Sequence, residues 1–145
     1  MRVEESIEIA RSREDVWTLV SDPLRDPLWC SKVKSVERAG EGRWSVLHKP
    51  VPLRPPMELT LSHIELDAPS RLRMRQEDEA SVFEVEYLLE PIEGGTRFTQ
   101  ASEFEWKRLP RILHGTFARG VSHDLRNQLA SLKDLLEADA GRTSA

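Results

Sequence analysis

Apolar residues in the last third of the chain recur every three or four positions, which is the repeat of one side of a helix. This spacing predicts a long C-terminal helix from Leu109 to Ala138. The two ends of its apolar stripe point more than about 100° apart, and Gly115 and Gly120 lie between them. Either a bend or short break at the glycines or a curved helix on a twisted sheet would reconcile the two directions. The stripe, which needs an apolar partner surface, comprises Leu109, Ile112, Leu113, Phe117, Val121, Leu125, Leu129, Leu132 and Leu136.

The N-terminal segment predicts one strand followed by two short helices. Residues 2–10 largely alternate between apolar and polar, which is typical of a half-buried strand. A helix follows, because Ser12 precedes Asp15 by three positions in a capping-box arrangement. Pro23 marks the end of this helix, and a second short turn continues from there to Trp29.

Further strands are predicted between the short helices and the C-terminal helix. Short connections indicate that consecutive strands pair antiparallel. One face of the sheet is mainly apolar, whereas the other carries charges such as Arg71 and Arg73 opposite Glu84 and Glu86, a pattern typical of cross-strand pairing. The predicted strands are Ser31–Ala39, Arg43–Lys49, Met57–Leu66, Arg71–Glu77, Ser81–Glu90 and Thr96–Trp106.

The composition is that of an ordinary soluble domain. The chain has 145 residues, of which 39% are hydrophobic and 32% charged, and its net charge is -4. These values fit one domain with its own core, which we assign to residues 1–139, and the small polar tail at 140–145 is expected to be flexible. Basic residues are interleaved with acidic ones, so no nucleic-acid partner is predicted.

Cysteine content and hydropathy predict a cytoplasmic protein. Cys30 is the single cysteine, which excludes an internal disulfide and indicates a reducing compartment. We interpret it as a buried or half-buried structural thiol. The chain contains no apolar run long enough for a signal peptide or a membrane span, so no stable membrane insertion is expected.

Three parts of the chain carry a family resemblance. They are the run from Arg13 to Pro23 that leads into Leu28-Trp29, the run from Gly95 to Thr99 with Glu103-Phe104, and the run from Leu132 to Glu137. Together they resemble the START-like helix-grip superfamily, in particular its polyketide cyclase/dehydrase branch. The resemblance implies an α+β fold, in which a strongly curved antiparallel sheet of about seven strands surrounds the C-terminal helix. It also implies an elongated cavity between them, which in members commonly binds lipids, sterols, quinones or polyketide-like molecules.

The predicted inner face of the sheet and helix mixes aromatic and flexible apolar residues with a few polar ones. Apolar walls supply affinity and sparse polar groups supply orientation, so this mixture is typical of a small-molecule site. Alternatively, the polar groups satisfy one another or face water. The candidate cavity-lining residues are Trp44, His48, Met57, His63, Met74, Gln76, Phe83, Tyr87, Phe98, Gln100, Ser102, Phe117, Val121 and Gln128.

The segment from Pro50 to Pro56 has proline at four of its seven positions. Such a segment cannot belong to a central strand and favours stiff, extended backbone. Two interpretations remain open. It forms a lid over the cavity mouth, with Arg54 available to an anionic ligand group, or it is an ordinary rigid connection.

Recognised catalytic and metal-binding motifs are absent from the sequence. The four histidines do not have a metal-site spacing, and neither a phosphate-binding glycine loop nor a nucleophile elbow occurs, so no metal or cofactor is predicted. In a cyclase, His48, His63, Tyr87 and Gln100 could orient a reactive chain and move protons. No motif assigns a catalytic role to any of them.

Two functions from different classes therefore stay open. The first is binding of a hydrophobic small molecule, such as a lipid, quinone or polyketide-like compound, in the cavity between the sheet and the C-terminal helix, without firm evidence of catalysis. The alternative is a polyketide cyclase/dehydratase that acts on a ligand in the same cavity. The oligomeric state is open in both cases.

Overall fold

Seven strands form one antiparallel sheet. They are β1 (Arg2–Ile9), β2 (Val33–Gly40), β3 (Arg43–His48), β4 (Met57–Asp67), β5 (Arg71–Glu77), β6 (Ser81–Ile92) and β7 (Gly95–Trp106). The computed structural model describes residues 1–49, 55–79, 81–106 and 110–143. The strand order is β1-β7-β6-β5-β4-β3-β2, so β2 to β7 form a meander and β1 pairs with β7 at one edge.

Helical segments lie before and after the meander. Ser12 caps the first helix as predicted, because its Oγ accepts a hydrogen bond from the Asp15 backbone N–H at 3.2 Å. The predicted second short helix is a 3₁₀ helix. Together with the curved sheet, these elements confirm the predicted helix-grip fold. The helical segments are α1 (Arg13–Val20), the 3₁₀ helix Pro23–Leu28, the 3₁₀ turn Arg111–Leu113 and α2 (His114–Thr143).

The core lies between the inner face of the sheet and one side of α2. Hydrogen bonds join the same helix to β1: Lys133 Nζ donates to the Glu8 carbonyl oxygen at 2.7 Å, and Ser122 Oγ donates to Glu5 Oε1 at 2.6 Å. These contacts hold α2 along the edge strand. The buried apolar residues of the helix are Leu125, Leu129, Leu132 and Leu136.

The N-terminal part of the helical stripe is not buried. Ile112 is 88% exposed, Phe117 48% and Leu113 42%. The expectation that the whole stripe is buried is therefore wrong for these residues. Val121 is partly buried against the core, and the fully buried residues of the stripe begin at Leu125 within the described part of the helix.

The start of the long helix also differs from the prediction. A 3₁₀ turn precedes α2, which begins at His114 and continues without interruption through Gly115 and Gly120. A break at the glycines is therefore wrong. The predicted first residue, Leu109, lies outside the described residues. The flexible tail predicted for residues 140–145 stays a prediction.

The outer face of the sheet carries the predicted charge pairs. Arg73 pairs with Glu65 at 2.7 Å and with Glu84 at 3.1 Å, and Arg71 pairs with Glu86 at 2.6 Å. Because these side chains are partly exposed, solvent screens each pair and limits its contribution to stability. The charged face therefore faces solvent, and the apolar face is left for the core.

Gly95 begins β7 directly against the main chain of β1. A Cβ at this position would lie 2.0 Å from the Ile9 carbonyl oxygen. Gly95→Ala is therefore expected to lower the free energy of unfolding by about 3 kcal/mol or more, measured by urea denaturation. Gly120→Ala is the control: nothing lies within 4 Å of its added Cβ, and alanine in a helix interior should raise stability by up to about 1 kcal/mol. Wild-type stability in Gly95→Ala would contradict the close approach.

Candidate functional site

A cavity of about 660 Å³ lies between the inner face of the sheet and α2. Its size falls within the range of about 300–1,000 Å³ that is usual for small-molecule sites. Strands β2 to β7, the 3₁₀ helix Pro23–Leu28 and the first half of α2 all contribute to its wall. The apolar part of the wall includes Val33, Val46, Leu61, Phe83, Val85, Phe104, Phe117, Val121 and Leu125.

The structure brings many of the predicted residues together around this cavity. The alternation along β3 to β7 points one set of side chains inward, and α2 closes the space from the other side. The predicted residues that line the cavity are His48, Met57, Gln76, Phe83, Tyr87, Gln100, Ser102, Phe117, Val121 and Gln128.

Trp44, His63, Met74 and Phe98 are inner-face residues that do not line the cavity. The Trp44 and His63 rings pack against each other with centroids 4.4 Å apart. Met74 is 2% exposed, and Phe98 packs against Trp29 and Tyr87. Alternation places a side chain on the inner face, but it does not distinguish the packed part of that face from the part that faces the cavity. The prediction of these four as cavity-lining residues is therefore wrong.

Two glutamines connect the sheet and α2 inside the cavity. Gln128 Nε2 donates a hydrogen bond to Gln100 Oε1 at 3.3 Å, and Gln100 is buried. The interpretation that polar groups satisfy one another therefore holds for this pair. Amide groups can exchange partners at modest cost, so the pair could also turn toward a bound carbonyl or hydroxyl group.

Asp26 is a cavity residue that the sequence analysis missed. It lies in the 3₁₀ helix Pro23–Leu28, is 7% exposed and forms part of the cavity wall. Burial, reinforced by the negative charge of Asp22, raises the pKa of the Asp26 carboxyl from 3.8 to about 8. The carboxyl is therefore mainly protonated at neutral pH. An acidic residue inside a short helix that closes the end of a sheet is the signal that could have identified it.

Cys30 and Tyr87 lie on the same wall as Asp26. Burial raises the pKa of the Cys30 thiol well above its usual value, and the nearby Asp26 raises it further. Burial also raises the pKa of the Tyr87 hydroxyl, with smaller contributions from Asp26 and Cys30. All three groups are therefore uncharged near pH 7. Cys30 is buried, as predicted, and its protonated form is a poor nucleophile.

Charged side chains gather at another part of the wall. Lys32, just before β2, forms an ion pair with Asp124 on α2, and both side chains are partly exposed. His48 lines the cavity beside them. Burial lowers the pKa of its imidazole, and Lys32 lowers it further against an opposing effect of Asp78. His48 is therefore neutral at pH 7.

Two further sequence predictions concern a metal site and the proline-rich segment. Within the described residues, no three His, Cys, Asp or Glu side chains lie close enough together to hold a metal ion. Residues 50–54, which include Arg54, lie outside the described part of the chain, so the proposed lid stays a prediction.

The sheet, the long helix and the cavity between them define a helix-grip protein. A family model described as polyketide cyclase / dehydrase and lipid transport matches residues 1–137. The chain therefore belongs to this family, which confirms the resemblance noted from the sequence. A comparison with curated protein sequences finds no match.

Solved structures share this fold over nearly the whole chain. A protein from Thermus thermophilus is 19% identical, with 96% of this chain and 99% of that chain covered and a TM-score of 0.79. A START superfamily protein from Mycobacterium smegmatis is 14% identical, with 94% and 97% covered and a TM-score of 0.78. The di-domain ARO/CYC protein BexL from the BE-7585A biosynthetic pathway is 19% identical, with 94% of this chain and 46% of BexL covered and a TM-score of 0.77. At these identities the similarity supports the shared fold.

The raised pKa of Asp26 predicts a specific pH dependence of stability. The folded state keeps this proton up to about pH 8, whereas the unfolded chain releases it near 3.8. Wild-type protein should therefore lose stability, relative to Asp26→Asn, as the pH rises between these values. The free energy of unfolding of wild type minus that of Asp26→Asn should fall by about 1.4 kcal/mol for each pH unit.

Urea denaturation at several pH values between 5 and 7 measures this difference. Asp134→Asn removes an exposed carboxyl from α2 and is the matched control, which should leave the pH dependence unchanged. A difference between wild type and Asp26→Asn that stays constant with pH would contradict the burial of an Asp26 proton.

Proposed function

We propose that this protein binds a hydrophobic small molecule, such as a lipid, quinone or polyketide-like compound, in the cavity between the sheet and α2. The observation that carries this proposal is a space of about 660 Å³ whose lining surface is mainly apolar, with polar side chains interspersed along the wall. A ligand that buries about 200 Å² of apolar surface there would gain about 5 kcal/mol from burial alone. Membership of a family whose description includes lipid transport agrees with this proposal.

The arrangement of polar groups supports orientation of a mainly apolar ligand. Asp26 and Tyr87 lie on one part of the wall, and Gln100 and Gln128 form a pair that spans the cavity from β7 to α2. Hydrogen-bonding groups on a mainly apolar wall fix how a ligand sits, while burial of its apolar surface provides most of its affinity. Such a site suits a molecule with one or two polar atoms on a larger apolar body.

The rim offers an entry for such a ligand. Phe117 lines the cavity and is also 48% exposed, and Ile112 nearby in sequence is 88% exposed. Apolar residues that reach from solvent into a cavity can contact a ligand before it is fully enclosed. Neither helix, in the part of the chain that the structure describes, is long and apolar enough to span a membrane.

A cyclase or dehydratase that acts in the same cavity is the second candidate. It is favoured by the presence of Asp26, His48 and Tyr87 on the cavity wall, since proton transfer needs such groups near the reacting atoms. His63 does not line the cavity, so it no longer serves as the partner of His48 in this hypothesis. If wild-type protein converts a poly-β-ketone thioester and Tyr87→Phe does not, catalysis is supported. If wild-type protein binds the thioester and releases it unchanged, binding alone is supported.

Filling the cavity from α2 tests the binding proposal. Val121 and Gln128 both line the cavity, so Val121→Trp combined with Gln128→Trp should weaken binding of phenylnaphthylamine, an uncharged fluorescent probe, at least about tenfold. Ala130→Trp combined with Arg119→Trp is the control, because both residues are exposed on the same helix. Fluorescence titration measures affinity, and circular dichroism verifies folding. Equal affinity of both folded double variants would contradict binding in this cavity.

A further inference from the structure

Asp26 differs in depth from the other acidic residues of the cavity wall. It is 7% exposed, whereas Asp78 is half-buried and Asp124 is exposed and paired with Lys32. Its main-chain oxygen accepts hydrogen bonds from the Trp29 and Cys30 backbone N–H groups at 3.1 Å and 2.8 Å. Within the described residues, no hydrogen bond or ion pair reaches its carboxyl group.

The groups that face this carboxyl carry no positive charge. Asp22 acts on it from the N-cap of the same 3₁₀ helix, Cys30 from the following segment and Tyr87 from β6. Lys32 is engaged by Asp124 on α2. A buried carboxyl without a cationic partner keeps its proton, and its O–H is then a hydrogen-bond donor without an acceptor. Because Asp26 borders the cavity, a ligand that supplies an acceptor there gains a hydrogen bond shielded from bulk water.

We propose that Asp26 is a specificity-determining residue, whose protonated carboxyl donates a hydrogen bond to an uncharged carbonyl oxygen of the ligand. This inference rests on the proposed function and names its ligand class: neutral ketones and quinone-like carbonyl compounds. The Tyr87 hydroxyl on the same wall can donate to the second lone pair of the same oxygen.

Charged ligands fit this part of the cavity poorly. A fatty-acid carboxylate would be desolvated close to the negative charge of Asp22, and the cation nearest in sequence, Arg25, is already paired with Asp22 at 3.6 Å. A primary ammonium group would need the Asp26 proton to leave and two further acceptors for its remaining N–H groups. A carbonyl oxygen asks only for donors, which Asp26 and Tyr87 supply.

Ligands of equal chain length separate these possibilities. Methyl nonyl ketone, undecanoate and undecylamine are compared by their displacement of bound phenylnaphthylamine at pH 7. The ketone should bind about tenfold more tightly than either charged compound, as expected for one satisfied buried hydrogen bond. Undecanoate or undecylamine binding as tightly as the ketone would overturn the inference.

Variants of Asp26 test the residue itself. Asp26→Leu removes the donor and should weaken ketone binding about tenfold, while phenylnaphthylamine, which has no carbonyl, binds within about threefold of wild type. Asp26→Asn keeps an N–H donor and should retain ketone binding. Equal ketone affinity in Asp26→Leu and wild type would overturn the role of Asp26. Asp134→Asn is the control for loss of a carboxyl on an exposed surface.

The pH profile adds a readout that a merely structural residue would not change. Ketone affinity of the wild type should fall about tenfold between pH 7 and pH 9, as the Asp26 proton is lost near pH 8. Asp26→Asn should show no such fall. Burial is the main cause of the raised Asp26 pKa, and the Asp22 charge adds to it; Asp22→Asn keeps a side-chain acceptor for the Leu24 N–H but removes this charge. Its profile should therefore shift to lower pH, and an unshifted profile would count against the inference.

The same experiment distinguishes the two levels of the proposal. Probe binding that is lost in the cavity-filled double variant, combined with no preference for the ketone, would overturn the role of Asp26 and leave the binding function intact. Failure of wild-type protein to bind both the probe and the ketone would overturn the binding function and this inference together.

Discussion

The packing of one half of α2 against the sheet is the constraint on which the cavity depends. The helix is held by its buried leucines and by hydrogen bonds from Lys133 and Ser122 to β1. Its N-terminal half, which carries Phe117 and Val121, is less completely buried and also lines the cavity. Space for a ligand therefore remains where the helix packs less closely on the sheet.

Burial controls the chemistry of this space as much as its shape does. Asp26, Cys30 and Tyr87 would each carry a proton at neutral pH, since desolvation disfavours their charged forms. The wall therefore presents donors instead of charges in its deepest part, and the Lys32–Asp124 ion pair is partly exposed. This division suits a ligand whose apolar body is enclosed and whose polar atoms are uncharged.

The sequence predicted the parts of this architecture that depend on local pattern. Alternation identified the strands and the inner-facing side chains, including His48, Tyr87 and Gln100, because successive residues of a strand point to opposite faces. Spacing of three and four identified α2, and the capping pattern at Ser12 identified the start of α1. Family motifs then agreed with the order of elements.

The remaining features depend on tertiary distances that a periodic pattern does not contain. Trp44 and Phe98 share a face with cavity residues, yet ring contacts enclose them in the packed core. Ile112 continues the apolar stripe but lies past the end of the packed surface. Asp26 is buried because the 3₁₀ helix packs against the sheet, a tertiary contact that no periodic pattern records.

Chemical-shift mapping by nuclear magnetic resonance tests the central claim most directly. Isotope-labelled protein is titrated with methyl nonyl ketone while the backbone and side-chain signals are followed. A ligand enclosed between the sheet and α2 should shift signals of Tyr87, Gln100 and Val121 and leave those of Arg73 and Glu84 on the outer face unchanged. Shifts confined to the outer face, or absent at saturating ketone, would contradict a ligand site in the cavity.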